Sequence, residues 1–204
     1  MHKHLLALVL GIASTVGAAS LGLATPITYT ETDTASGSLG GIAFTNANIV
    51  LTENSDITNV VNLGSGIFHN VGTVTLTVNG GSPVNFTDTT LSVSNGVGGV
   101  GFSDLTVNRA ILLDNSSAFL TYDLTTSIGP ITGTATFNSG QSFSTTGGAF
   151  VLTSVGNPTF TATTSVAVPA PPVGRGLPVL LAVWGVLAGA RVLERQRRTR
   201  RLRC

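Results

Sequence analysis

The chain has 204 residues, of which only 9% are charged, and its 10 Lys/Arg and 9 Asp/Glu leave a formal net charge of +1. That near-neutrality hides two opposite regions. Residues 25–165 carry eight acids (Glu31, Asp33, Glu53, Asp56, Asp88, Asp104, Asp114, Asp123) and a single base, Arg109, while the other bases sit at Lys3 and in the C-terminal segment. An acidic central region excludes nucleic acid and anionic lipid as its partners, and a lone cysteine, Cys204 in the basic tail, excludes a disulfide framework or a thiolate zinc site.

In chain order, Lys3 is followed by an apolar stretch over 5–19 and then by small residues, the three-part layout of a secretory signal peptide. Two cuts satisfy the small-residue rule, after Ala19 and after Ala24. The second is preferred because Pro26 and a new alternating pattern follow at once, so cleavage is expected between Ala24 and Thr25, making 1–24 the signal peptide. An uncleaved N-terminal anchor is the other reading, and either way the middle is exported.

Residues 25–165 are rich in Thr, Ser, Asn and Gly around Val, Ile, Leu and Phe, and they lack Lys and Met. β-Branched and aromatic residues suit half-buried pleated surfaces, so the region is expected to be all-β. Strands are predicted at 27–32, 42–44 and 47–52, with Gly40-Gly41 turning the chain after the first and Glu53-Asn54-Ser55-Asp56 breaking the third. Over 71–79 the alternation is clearest, with Val74, Leu76 and Val78 on one face and Thr73, Thr75, Thr77 and Asn79 on the other. Asn79-Gly80-Gly81-Ser82 is a turn signal, because left-handed turn positions favour Asn and Gly. Further strands are predicted at 84–86 and 89–93, then a flexible GVGGVG loop at 96–101. A pair follows at 109–113 and 118–124 across Asp114-Asn115-Ser116-Ser117, then strands at 131–137, 141–143, 149–153 and 159–166. This spacing predicts an antiparallel β-sandwich, jelly-roll or Ig-like, as one exported domain over 25–165.

From Val166 the chain is a Pro/Gly-rich spacer, to Gly176. Residues 177–193 form a nearly charge-free run holding Trp184, which as a helix spans about 26 Å against a hydrocarbon core of about 30 Å. Arg191 interrupts the run near its end, and Arg195, Arg197, Arg198, Arg200, Arg201 and Arg203 follow it. By the positive-inside rule this basic tail, 194–204, is cytoplasmic and the large preceding region lies on the far side. A buried helix of a soluble domain is the competing reading of the run, and a block of arginines at its end argues against it.

No constellation for catalysis emerges. After signal removal His69 is the only histidine, and no GxSxG elbow supports a serine triad around it, so a surface-loop histidine is expected. Several His or Cys would be needed for zinc. Asp and Asn cluster at Glu53–Asp56 and at Asp114-Asn115 as calcium ligands do, without an EF-hand or nonapeptide pattern. The glycines at 96–101 lack the strand–loop–helix context of a phosphate loop. Neither a catalytic residue, a metal nor a cofactor is therefore assigned. Asn85-Phe86-Thr87 and Asn115-Ser116-Ser117 match the glycosylation sequon.

The order of export signal, Thr/Gly-rich β region, Val168-Pro169-Ala170-Pro171-Pro172, Gly174-Arg175-Gly176-Leu177-Pro178, apolar span and Glu194-Arg195-Gln196-Arg197-Arg198 resembles the bacterial PEP-CTERM sorting-domain proteins. The family's usual tripeptide is Pro-Glu-Pro, and Ala170 stands at its middle position here. The resemblance covers the C-terminal segment alone. It implies transit through the inner membrane, transient anchoring by the tail, cleavage near the VPAPP turn by an exosortase-type enzyme, and display or release with exopolysaccharide or biofilm matrix.

Three functions then compete. The first is a non-enzymatic surface or matrix protein. The second is a carbohydrate-binding module stacking sugars on Tyr29, Tyr122 or the phenylalanines. The third is a glycan hydrolase using paired carboxylates among Asp104, Asp114 and Asp123, which have no diagnostic spacing. The first is expected.

Overall fold

The computed structural model describes residues 24–165, and all of them fall within one structural unit. The expected signal peptide up to Leu23, the sorting motif at Val168, Pro169, Ala170, Pro171 and Pro172, the apolar run and its arginines lie outside the described residues. Among the described residues no helix is long and apolar enough to cross a membrane.

The region is all-β, as its composition predicts. β1 (Pro26–Leu39) and β2 (Ile42–Asp56) form a long hairpin that turns on Gly40 and Gly41, both at positive φ (+58° and +81°). β3 (Val60–Gly64) and β4 (Ile67–Val71) make a second hairpin, and β5 (Thr73–Val78) returns to pair with β2. β6 (Val84–Asn85), β7 (Thr90–Asn95), β8 (Gly99–Asp104) and β9 (Arg109–Asn115) follow. The last five are β10 (Ile128–Thr132), β11 (Thr134–Thr136), β12 (Ser142–Thr145), β13 (Gly148–Val155) and β14 (Thr159–Thr164).

These strands make two antiparallel sheets. One runs β10-β14-β1-β2-β5-β6, with β13 and β12 continuing beside the far half of β1, and the other runs β11-β9-β8-β7-β4-β3. β1 serves two neighbours on one edge, β14 along 27–32 and β13 along 35–39. The register shifts between Ser36 and Gly37. A Cβ on Gly37 would collide with the Val151 carbonyl, so only glycine allows the close approach. Both sheets contribute to one core: Ile27, Leu51, Val74 and Phe160 from the first meet Val100, Phe102 and Leu112 from the second. Val74 and Leu76 are fully buried with Val78 packed against them, as the alternation predicts.

Several expectations change. Residues 42–44 and 47–52 belong to one strand, which runs on through Glu53–Asp56. Continuous pairing with β1 overrides the local turn chemistry, and Asn46 absorbs the irregularity at φ +48°. Only 96–98 turn, and the remaining glycines of the GVGGVG stretch are in β8, paired on both sides. Residues 118–124 are not a strand. Ser116 caps a single 3-10 turn at Ser117–Phe119, its hydroxyl accepting from the Ala118 N–H (3.4 Å), and the segment then drives Phe119, Tyr122 and Leu124 into the core. The 131–137 stretch is two strands in different sheets, divided at Gly133. β3, β4 and β8 are strands that the sequence alternation does not mark.

Candidate functional site

The alternation of β1 points Ile27, Tyr29, Glu31, Asp33 and Ala35 inward, and all five are buried. The core therefore receives a phenol and two carboxyls from one strand. β2 adds Glu53, directly opposite Tyr29 in the ladder, and β9 adds Asp114, opposite Val100 and Ala135. Burying charge is expensive unless it is paired or neutralised. Arg109, the only Lys or Arg among the described residues, is exposed and donates to the neighbouring Asn108 carbonyl (3.2 Å).

One polar group of this interior is satisfied except at Glu53 Oε1. Ser55 donates to Asn70 Oδ1 (2.7 Å), and Asn70 Nδ2 donates to the Tyr29 hydroxyl (2.8 Å) and the Asp56 carbonyl (3.2 Å). Tyr29 donates onward to the Leu124 carbonyl (2.5 Å). Ser94 donates to the Tyr122 carbonyl (2.6 Å) and Tyr122 to that of Thr126 (2.9 Å), so the segment after β9 is pinned inside by its backbone. Burial pushes both phenols far above their ordinary range. Glu53 accepts from the Ser92 hydroxyl at Oε2 (2.9 Å), while its Oε1 has no partner. Burial raises its carboxyl to about 7, with the Ser92 hydroxyl and N–H pulling the other way.

The other group is not satisfied. Glu31 is fully buried and neither of its carboxylate oxygens has a hydrogen-bond partner; the same holds for Asp114. Asp33 lies close by with both oxygens engaged, Oδ1 accepting from the Thr34 N–H (2.7 Å) and Oδ2 from that of Gly156 (3.1 Å). Burial, then the charges of Asp114 and Asp33, drive the Glu31 carboxyl well above the carboxylate range. Asp114 is raised to about 6 by burial, against the nearby Phe160 N–H and with Asp33 adding to it. Glycines make the room: a Cβ on Gly101, at φ +149°, would sit 2.8 Å from Glu31 Oε2, and one on Gly133 would collide with Asp114 Oδ1.

The opposite face of the first sheet is chemically different. Its ladder aligns Thr132, Thr159, Thr32, Val50 and Thr77 in one row, and Thr161, Thr30, Thr52, Thr75 and Asn85 in the next. Thr163, Thr28, Asn54 and Thr73 make a third. All these side chains are exposed or half-buried, and none is charged. Strand geometry sets them about 4.8 Å apart across the sheet and about 6.8 Å apart along each strand. Hydroxyls link within the rows, Thr132 with Thr159 (2.7 Å) and Thr28 to Asn54 (2.8 Å).

The residues weighed for catalysis are not brought together. Asp104 Oδ1 holds the turn before β9 by accepting from the Thr106 (2.7 Å) and Val107 (3.3 Å) N–H groups. Asp123 Oδ1 holds another turn by accepting from Thr125 N–H (3.0 Å) and hydroxyl (2.7 Å). Asp114 is inside. His69 lies not in a surface loop but on β4, between Val61 and Val93 and half-buried, which lowers its pKa. Of the two turns weighed for calcium, both are strand: Asp114 and Asn115 end β9, while Glu53–Asp56 ends β2 with Glu53 inward and Asp56 capping the 3-10 turn Ile57–Asn59 through Thr58 (2.8 Å). Among the described residues no three His, Cys, Asp or Glu side chains converge to hold a metal ion, and every Tyr and Phe is buried or half-buried. Ala24 is exposed, and Thr25 accepts from the Ile57 N–H (3.1 Å) just before β1. Sequence reasoning missed Glu31 and Asp33. Their signal was present, because they continue the inward phase set by Ile27 and Tyr29.

No protein-family model, curated protein or solved structure matches the chain.

Proposed function

We propose that the protein is an exported, non-enzymatic surface or extracellular-matrix protein whose Thr/Asn face lies against neutral exopolysaccharide. Its β domain is read as a sandwich of the jelly-roll or Ig-like kind, since two antiparallel sheets share one core. The observation that carries the function is the charge-free grid of Thr132, Thr159, Thr32, Thr161, Thr30, Thr52 and their neighbours. It offers ordered hydroxyls and methyls to a hydroxylated polymer, while the unusual carboxyls are sealed inside. The carbohydrate-module alternative wants exposed rings, and the described Tyr and Phe residues supply none. The hydrolase alternative wants two facing carboxyls in a cleft, and Asp104, Asp114 and Asp123 serve separate places.

Sorting rests on the tail. Val168, Pro169, Ala170, Pro171 and Pro172 are the processing site for an exosortase-type protease. The apolar run anchors the chain in the inner membrane, and Arg191, Arg195, Arg197, Arg198, Arg200, Arg201 and Arg203 keep its end in the cytoplasm. Intact mass of the protein from its own host tests this. A mature chain starting near Thr25 and ending near the VPAPP turn, found at the surface or in the medium, is expected. A chain retaining Cys204 in the inner membrane would overturn the sorting.

A further inference from the structure

We propose that Glu31 and Asp114 are side-chain ligands of a hard divalent cation of the calcium type, held inside the β domain. The observations behind this are geometric and separate from the surface reading above. Two carboxylates from different sheets are fully buried and none of their four oxygens makes a hydrogen bond, the Phe160 N–H being the one donor near Asp114. Each carboxylate packs against a glycine that no larger residue could replace, Glu31 on Gly101 and Asp114 on Gly133. The carbonyl oxygens of Leu112 and Asn115 lie beside the same two glycines, so main-chain oxygens stand near both carboxylates.

An interior of this kind needs positive charge, and the described chain has no internal base to supply it. Protons satisfy it poorly. A protonated carboxyl is itself a donor that needs an acceptor, and it leaves its second oxygen waiting for a donor. Hard oxygen ligands in a partly main-chain cage suit calcium, which takes six to eight oxygens in flexible geometry, with carbonyls and water completing the set. Asp33 stays out of the coordination because Thr34 and Gly156 hold both its oxygens. It adds a nearby negative charge instead.

The test uses the purified full chain in mild detergent, first stripped with EDTA. Calcium chloride at a hundredfold excess over its dissociation constant should raise the melting temperature by roughly 5 to 10 °C, and magnesium by less. Glu31→Gln and Asp114→Asn keep the shape and remove the charge. Each should abolish the calcium shift while melting no lower than the wild type in EDTA, since repulsion is relieved. Glu53→Gln should keep the shift. Terbium gives a direct readout, because Tyr29 lies two residues along the same strand face and should sensitise its emission in the wild type and not in Glu31→Gln. A wild type whose melting temperature ignores calcium and EDTA would overturn the site, as would a shift or terbium signal that survives in both carboxylate variants.

Discussion

Glu53 shows how one buried carboxyl couples the fold to pH. Burial raises its pKa from an ordinary 4.5 to about 7, so between those values the native chain keeps a proton that the unfolded chain has released. Stability from this group is therefore greatest below about pH 4.5 and falls as pH rises. Above about pH 7 the full penalty is present, on the order of 3 kcal/mol. Glu53→Gln can still accept from Ser92 and carries no charge. Urea denaturation at pH 5 and pH 8 should find that the variant loses much of the wild type's decline and is the more stable protein at pH 8. An unchanged pH dependence would mean that Glu53 is not held in this way.

Among the elements, the segment after β9 matters most for the core. It makes no ladder, yet it inserts Phe119 edge-on to Phe160 at 5.8 Å between ring centroids, with Tyr122 also packed edge-on to Phe160 at 6.2 Å. Edge-to-face pairs add to the stabilisation that burial of a large ring already provides. Phe119→Ala should cost about 3–5 kcal/mol, by cavity formation and lost transfer energy. Leu120 next to it is 52% exposed, and Leu120→Ala should change stability by only about 0.5 kcal/mol. Chemical denaturation of the two variants separates a core wedge from a surface linker.

At the scale of the whole molecule the two faces of the first sheet divide the work: one closes the core and the other is offered to the outside. Thr30→Lys with Thr75→Lys places two charges in the middle row of the grid, separated by Thr52. Co-sedimentation with the host's exopolysaccharide should be lost in this double variant, with the melting temperature changed little, because both side chains are half-buried on the sheet's outer face, where a lysine stem can lie along its neighbours. Retained binding would move the contact surface elsewhere.

The sequence by itself determined the strand chemistry. Alternating Thr with Val, Leu and Ile fixes a period of two, and paired Gly or Asn-Gly fixes the tight turns, because these are local properties of side-chain shape and φ. Hence the all-β class, the turns at Gly40-Gly41 and Asn79-Gly80, and the inward face of β5 were legible. Partners distant in sequence decided the rest. Only pairing with β1 turns Glu53–Asp56 from an apparent break into strand, and only a crowded core explains why Ala118–Leu124 gives up its strand pattern for an inserted wedge. Only the apposition of two sheets brings Glu31 beside Asp114, 83 positions along the chain. Neither carboxyl's neighbours in sequence announce the other, because a charge becomes costly only when the fold removes it from water.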